Sequence, residues 1–228
     1  MPIALVMSSV IISASIYYFW PSLSMSFSSK SIFPAELYQL KEGDSYLSEV
    51  TYLNRETGDV TYKATMTMTI EKREGKILTA SILDPETGKK FISKRYSNSF
   101  IPPVEYDAIN GETGNFVVLG NYNAIFPLET GKTMTFRATG KNNKVGAMSF
   151  TKTCKVTGSE DVPTSFGIYP SWVVWCNSGK EIDLTTSKFQ KFYYSPHLKV
   201  VLKKENHYAL GEQKILQVRE LVEIISWN

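Results

Sequence analysis

The chain of 228 residues has only two histidines and two cysteines. It lacks the helical His-Glu-x-x-His pattern and the paired cysteines of a zinc site, so neither metal architecture is written into it. No glycine-rich phosphate loop and no Gly-x-Ser-x-Gly elbow appears. No run of five like charges occurs, and the net charge is only +3. Nucleic acid is therefore not an expected partner. Long Ala/Leu/Glu stretches of the kind that build helix bundles are missing too. The first 29 residues contain no Lys, Arg, Asp or Glu.

That uncharged start is informative. Pro2 to Trp20 is 19 uncharged, mostly apolar residues, with Tyr17, Tyr18 and Trp20 at its end. It reads either as a signal peptide without the usual basic start, or as a membrane anchor with an interfacial aromatic belt. Residues 1–30 are expected to be that export or anchoring segment, giving possible membrane association through residues 2–20. In an exported chain the even pair Cys154 and Cys176 suggests a disulfide.

What is abundant is Thr, Ser, Val, Ile, Tyr and Phe, the residues of pleated, half-buried surfaces. In "VTYKATMTMTIEK", Val60, Tyr62, Ala64, Met66, Met68 and Ile70 fall on one face and Thr61, Lys63, Thr65, Thr67 and Thr69 on the other. A period of two over this length predicts an antiparallel strand with one face in a core. Glu-Thr-Gly occurs four times, ending at Gly58, Gly88, Gly114 and Gly131. In Asp84-Pro85-Glu86-Thr87-Gly88, Asp and Pro suit the first two positions of a type I turn, and Gly88 supplies φ > 0. The motif reads as turn geometry. The stretch Ser31 to Gly43 is the one short-helix candidate, with Pro34 at its start and Gly43 past its end.

Displacing the chain by 88 residues aligns Leu40 with Leu128, Gly43 with Gly131, Thr51 with Thr139 and Asn54 with Asn142. It also aligns Gly58 with Gly146, Thr65 with Thr153 and Thr69 with Thr157. Two similar β units follow from this. The expected fold is all-β: an antiparallel β-sandwich of two tandem related units, residues 31–122 and 123–228, behind the hydrophobic segment. "SFGIYPSWVVWCNSGKEI" carries apolar residues on both parities, as a strand covered on both sides would. If "TKTCKVTG" neighbours it, Cys154 and Cys176 meet across the ladder. In "HLKVVLKKE", Leu198, Val200 and Leu202 alternate with Lys199 and Lys203.

The order "IFPLETGKTMTFRATG", a Cys-bearing strand, "VPTSFGIYPSWVVWC", "FYYSPHLKVVLKKE" and "LQVRELVEI" covers residues 124–225. It resembles a β-rich domain of unknown function from exported or lipid-anchored envelope proteins of Gram-negative bacteria. The chain departs from that pattern at Lys199, where glycine is usual, and at Thr164-Ser165, where Ala-Gly is common. The resemblance implies an antiparallel envelope domain, periplasmic or membrane-anchored, and supplies no catalytic residue.

No catalytic residue, metal ligand or cofactor is expected. Ser195 and His197 are two apart with Pro196 between them, poor spacing for a nucleophile and its base. The aromatic stretch with Tyr169, Trp172, Trp175, Tyr193 and Tyr194 is the recognition candidate, with core packing as the alternative. Lys199, Lys203 and Lys204 form either an anion-touching group or a solubilising guard on a strand edge. The expected function is a non-catalytic structural or interaction module of the bacterial envelope, engaging envelope protein partners through strand edges. The alternative is a periplasmic carrier holding an apolar or glycan ligand in a β cavity.

Overall fold

The computed structural model describes residues 32–108, 111–210 and 213–228; residues 1–31, with the predicted export segment, lie outside the described residues. Twelve strands follow in chain order. The first six are β1 (Ser45–Asn54), β2 (Val60–Glu74), β3 (Ile77–Leu83), β4 (Lys90–Tyr96), β5 (Glu105–Asp107) and β6 (Thr113–Leu119). The second six are β7 (Thr133–Asn142), β8 (Gly146–Thr164), β9 (Gly167–Ser178), β10 (Phe189–Ser195), β11 (Val200–Leu210) and β12 (Gln213–Ser226). Each pairs antiparallel with its neighbours in sequence, and β1 also pairs with β12, from Ser45↔Ser226 to Asn54↔Ile215.

The sheet is thus one closed barrel, which corrects the expected two-unit sandwich. Alternation within a strand says that one face is buried, but it is blind to whether that face meets a second sheet or its own far wall. The β1–β12 pairing decides the matter, and it joins residues more than 160 positions apart. The 88-residue displacement carries β1 onto β7, and their bounds correspond residue for residue. The repeated strands stand as staves of a single wall, with no separate sheet for each unit.

Three of the four Glu-Thr-Gly copies end in a glycine at positive φ, whereas Gly114 lies inside β6. Asp84 Oδ1 accepts from the Glu86 and Thr87 amides at 3.0 and 3.4 Å, and the Gly88 amide donates to the Asp84 carbonyl at 2.8 Å with φ +68° at Gly88. The first copy repeats these bonds: Asn54 Oδ1 accepts from Glu56 and Thr57, and Gly58 donates to the Asn54 carbonyl at 2.8 Å. The predicted helix over residues 31–43 is absent. Residues 32–43 are irregular, ending in a turn at Glu42 and Gly43, and Ala35 exchanges both backbone hydrogen bonds with Leu128 at 3.3 and 2.7 Å. A strand partner and the burial of Ala35 and Leu40 outweigh a marginal two-turn helix.

One end of the barrel, where β1 begins and β12 finishes, is packed shut. Met68, Ile70, Leu78 and Ala80 join Leu40 there. A larger cluster gathers Phe100, Ile125, Leu128, Phe136, Val156, Trp172, Val174 and Phe192. The 32–44 segment is strapped beneath: Trp172 Nε1 donates to the Phe33 carbonyl at 3.0 Å, and Tyr194 Oη to that of Glu36 at 3.2 Å. The outer wall carries charge along its height. The pairs Lys63–Glu49 (2.9 Å), Lys94–Glu105 (2.6 Å) and Lys191–Glu160 (3.1 Å) stand where a lipid-facing barrel keeps an apolar band. Among the described residues, no helix is long and apolar enough to cross a membrane.

The β6–β7 seam tests how tightly the staves fit. Gly140 faces Phe116 across the ladder, and a methyl group there would lie 1.9 Å from the Asn115 carbonyl oxygen. Gly140→Ala is expected to destabilise the protein by about 2 kcal/mol or more, because backbone must move. A denaturation midpoint within error of the parent's would contradict this contact.

Candidate functional site

Above the packed floor the barrel changes character. An eight-stranded barrel is just wide enough for side chains to fill, and diameter grows with strand number, so twelve strands enclose more room. Many inward positions of the upper half are polar. Tyr52, Gln190, Asn206, Tyr208 and Gln217 are all half-buried. Gln217 Nε2 donates to Tyr52 Oη at 2.7 Å, and Asn206 Nδ2 lies 3.4 Å from Gln217 Oε1. Register explains the ladder: Asn206 pairs with Gln217, Gln217 with Tyr52, and Tyr52 with Tyr62.

Between floor and ladder, four cations point inward from four strands. Arg95 of β4 stands opposite Leu78 in register, and its Nη1 approaches Met68 Sδ at 3.1 Å. Lys152 of β8 shares parity with the fully buried Cys154 and Val156. Its ammonium donates to Gln190 Oε1 at 2.6 Å. Lys204 of β11 is paired with Phe192 on one side and Arg219 on the other. Its ammonium sits 5.1 Å from the centre of the Phe192 ring. Arg219 of β12 is paired with the buried Val50, and its Nε donates to Ser48 Oγ at 3.3 Å.

The electrostatics follow from that enclosure. Burial, then the fields of Lys152, Arg219 and Arg95, pull Lys204 down from 10.5 to about 7. Burial lowers Lys152 to about 8. Arg219 is lowered too, first by burial and with a contribution from Arg95. Around the wall, β4 is separated from β12 by β3, β2 and β1, and β12 from β8 by β11, β10 and β9. Groups on strands so far apart feel one another only across the interior. Yet all four side chains keep partial solvent exposure. The four are thus partly exposed cations at inward positions of one closed wall.

The sequence-predicted candidates are scattered by the fold. Cys154 and Cys176 are paired across the β8–β9 ladder and bridged, with Cα atoms 4.1 Å apart and both side chains fully buried. Trp172 and Tyr194 belong to the floor, where burial raises the Tyr194 phenol to about 12. Tyr193 is buried in a second cluster with Val173 and Leu202, and half-buried Tyr169 packs against it. Trp175 stacks on Phe189 at 3.7 Å between ring centres, and Phe189 on His207 at 4.0 Å. Lys203 pairs outside with Glu205 and Glu220. Lys199 is exposed at φ +57°, which gives the site of the missing glycine its left-handed backbone. Ser195 Oγ is fully buried and accepts from the Leu198 amide at 3.3 Å, while His197 is exposed. No strand edge remains for Lys203 or Lys204 to guard, since β11 is flanked by β10 and β12.

A separate open groove of about 640 Å³ lies outside the short strand β5, between Lys94, Glu105, Asn115 and Lys141. Its central charges already neutralise each other in the Lys94–Glu105 pair. The cation cluster within the barrel is the more distinctive site. Sequence reasoning offered Lys204 as an anion-touching group or a solubilising guard on a strand edge, and weighed none of the other three. The parity of Lys152 with Cys154 and of Arg219 with Leu221 was the available signal.

No protein-family model matches the chain, and no curated protein matches it significantly. Solved structures with a similar arrangement include the hypothetical lipoprotein YmcC of Escherichia coli. It is 11% identical, has a TM-score of 0.46, and the match covers 80% of this chain and 86% of that one. Another is an exported protein of Bacteroides fragilis described as having a YmcC-like fold. It is 14% identical, has a TM-score of 0.45, and the match covers 84% of this chain and the whole of that one.

Proposed function

We propose that the protein is a non-catalytic binding protein of the bacterial envelope that carries a small ligand in the upper half of its barrel. One observation carries this reading: a floor of packed apolar side chains gives way, within the same closed wall, to polar and cationic side chains that remain wetted. A barrel built only for rigidity gains nothing by placing lysine and arginine inside, where each charge costs several kcal/mol of lost hydration. The disulfide and the uncharged residues 2–20 support an envelope location. The closed β1–β12 seam pairs the first and last strands with each other, so neither is open to strand addition by a partner.

Native mass spectrometry of the full chain, purified gently from membranes, tests the proposal. A fraction of the protein is expected to carry one additional mass that organic extraction removes. Protein of bare polypeptide mass only, which also fails to bind any of a panel of amphiphiles and glycans, would overturn it.

A further inference from the structure

We infer that the ligand is an anion, and that Arg95, Lys152, Lys204 and Arg219 form its receptor inside the barrel. This rests on the carrier reading and gives that ligand a chemical class: a phosphate, sulfate or carboxylate group, free or as the head of an amphiphile.

The first support is the missing counter-charge. Among the described residues no carboxylate pairs with any of the four. The ion pairs of this protein lie elsewhere, between Lys63 and Glu49, Lys94 and Glu105, Lys203 and Glu205, and similar outer partners. Of the residues outside those described, Glu212 alone is acidic. Four enclosed positive charges are left facing one another, an arrangement that proteins otherwise avoid.

The second support is unused hydrogen-bonding capacity. A guanidinium has five N–H donors and an ammonium three. The acceptors that these heads reach among the described residues are all neutral: Met68 Sδ, Gln190 Oε1 and Ser48 Oγ. Lys204 has no hydrogen-bond acceptor there; it meets only the face of Phe192. An anion with several oxygens would satisfy both deficits together. Arginine forks suit planar or tetrahedral oxyanions, and lysine adds a point charge.

The third support is the apolar floor directly below. Phe192 touches the cation site and belongs to the floor cluster. The upper lumen also keeps Met148 and Phe150 half-buried. A ligand with an anionic head and an apolar body finds complementary surface for each part within one barrel.

The affinity is expected to decline as pH rises above about 7, because Lys204 then loses its proton. The groups facing Lys204 are Lys152 from β8, Arg219 from β12 and Arg95 from β4, and none supplies a negative charge to hold that proton.

The test is isothermal titration of the full chain with decyl phosphate, decanol and inorganic phosphate, at low and high salt. Parent, Lys204→Met and Arg219→Met proteins are compared, with Lys152→Met as a further variant and circular dichroism confirming folding. Decyl phosphate is expected to bind at least tenfold more tightly than decanol, and each folded variant to lose about tenfold or more. Inorganic phosphate binding as tightly as decyl phosphate would also support the inference, with a free ion as the source. If decanol binds as well as decyl phosphate and Lys204→Met changes nothing, the carrier reading stands and the anion inference falls. If no probe binds and the purified protein holds no ligand, both fall.

Discussion

Lys204→Met is expected to stabilise the ligand-free protein, by about 2 kcal/mol at neutral pH. Methionine keeps the length of the lysine stem and its contact with Phe192, but it brings no charge into the company of Lys152, Arg219 and Arg95. Removing an uncompensated enclosed charge is a single change that can stabilise a native fold. The sign with pH follows from linkage. Lys204 is depressed from 10.5 to about 7, so between these values the unfolded chain binds more protons than the folded one. The destabilisation is complete below about pH 7 and is relieved as pH rises towards 10.5. The advantage of the methionine variant is therefore largest at pH 6 and shrinks towards pH 10, which urea titrations at the two pH values will show. Equal stability of variant and parent at pH 6 would mean that the lysine is hydrated as in bulk water. A saturating anion should narrow the difference, by about 1.4 kcal/mol for each tenfold by which it binds the parent more tightly.

The double variant Cys154→Ala/Cys176→Ala is expected to lose about 3 kcal/mol from the freed loop alone, whose ends are 22 positions apart. The true loss should be larger. Both sulfurs are fully buried beside Val156 and Val174 in the floor cluster, so truncation also opens a cavity. Thermal melting should fall by about 10 °C. Reductant alone should act slowly, since the barrel must open before a thiolate can reach the bridge. A melting temperature unchanged in the double variant would show that the β8–β9 ladder holds without its crosslink.

The effects differ in kind. The disulfide strengthens the floor, and the lysine weakens the lumen above it. That division matches a scaffold that is rigid where it packs and strained where the proposed ligand would sit.

Local chemistry was legible in the chain. The strict alternation of β2 placed Ala64, Met68 and Ile70 on the buried face, because side-chain direction in a strand depends only on the residue count. The Asp84 turn and its copy at Asn54 were legible because each closes within six residues. The cysteine pairing followed from adjacent strands of opposite direction. Lys199 broke the expected glycine, and the backbone there adopts the glycine conformation anyway.

Other features depended on contacts between distant residues. Whether Leu202 and Lys204 faced water or the interior could not be read from "HLKVVLKKE". The irregularity in register opposite Tyr193 and Tyr194 shifts the count on one strand. The aromatic run was read as a possible docking face, yet Trp172 and Tyr194 serve as floor, hydrogen-bonded to the strap at Phe33 and Glu36. By itself, then, the sequence determined that this protein is made of antiparallel strands, where most of them turn, and which cysteines meet. These are nearest-neighbour matters, set by sterics and by a period of two. Only the tertiary structure decided that the strands close on themselves and form no sandwich, and that four cations from distant strands share one interior. Closure depends on the pairing of the first strand with the last, and the curvature that brings them together is spread over all twelve.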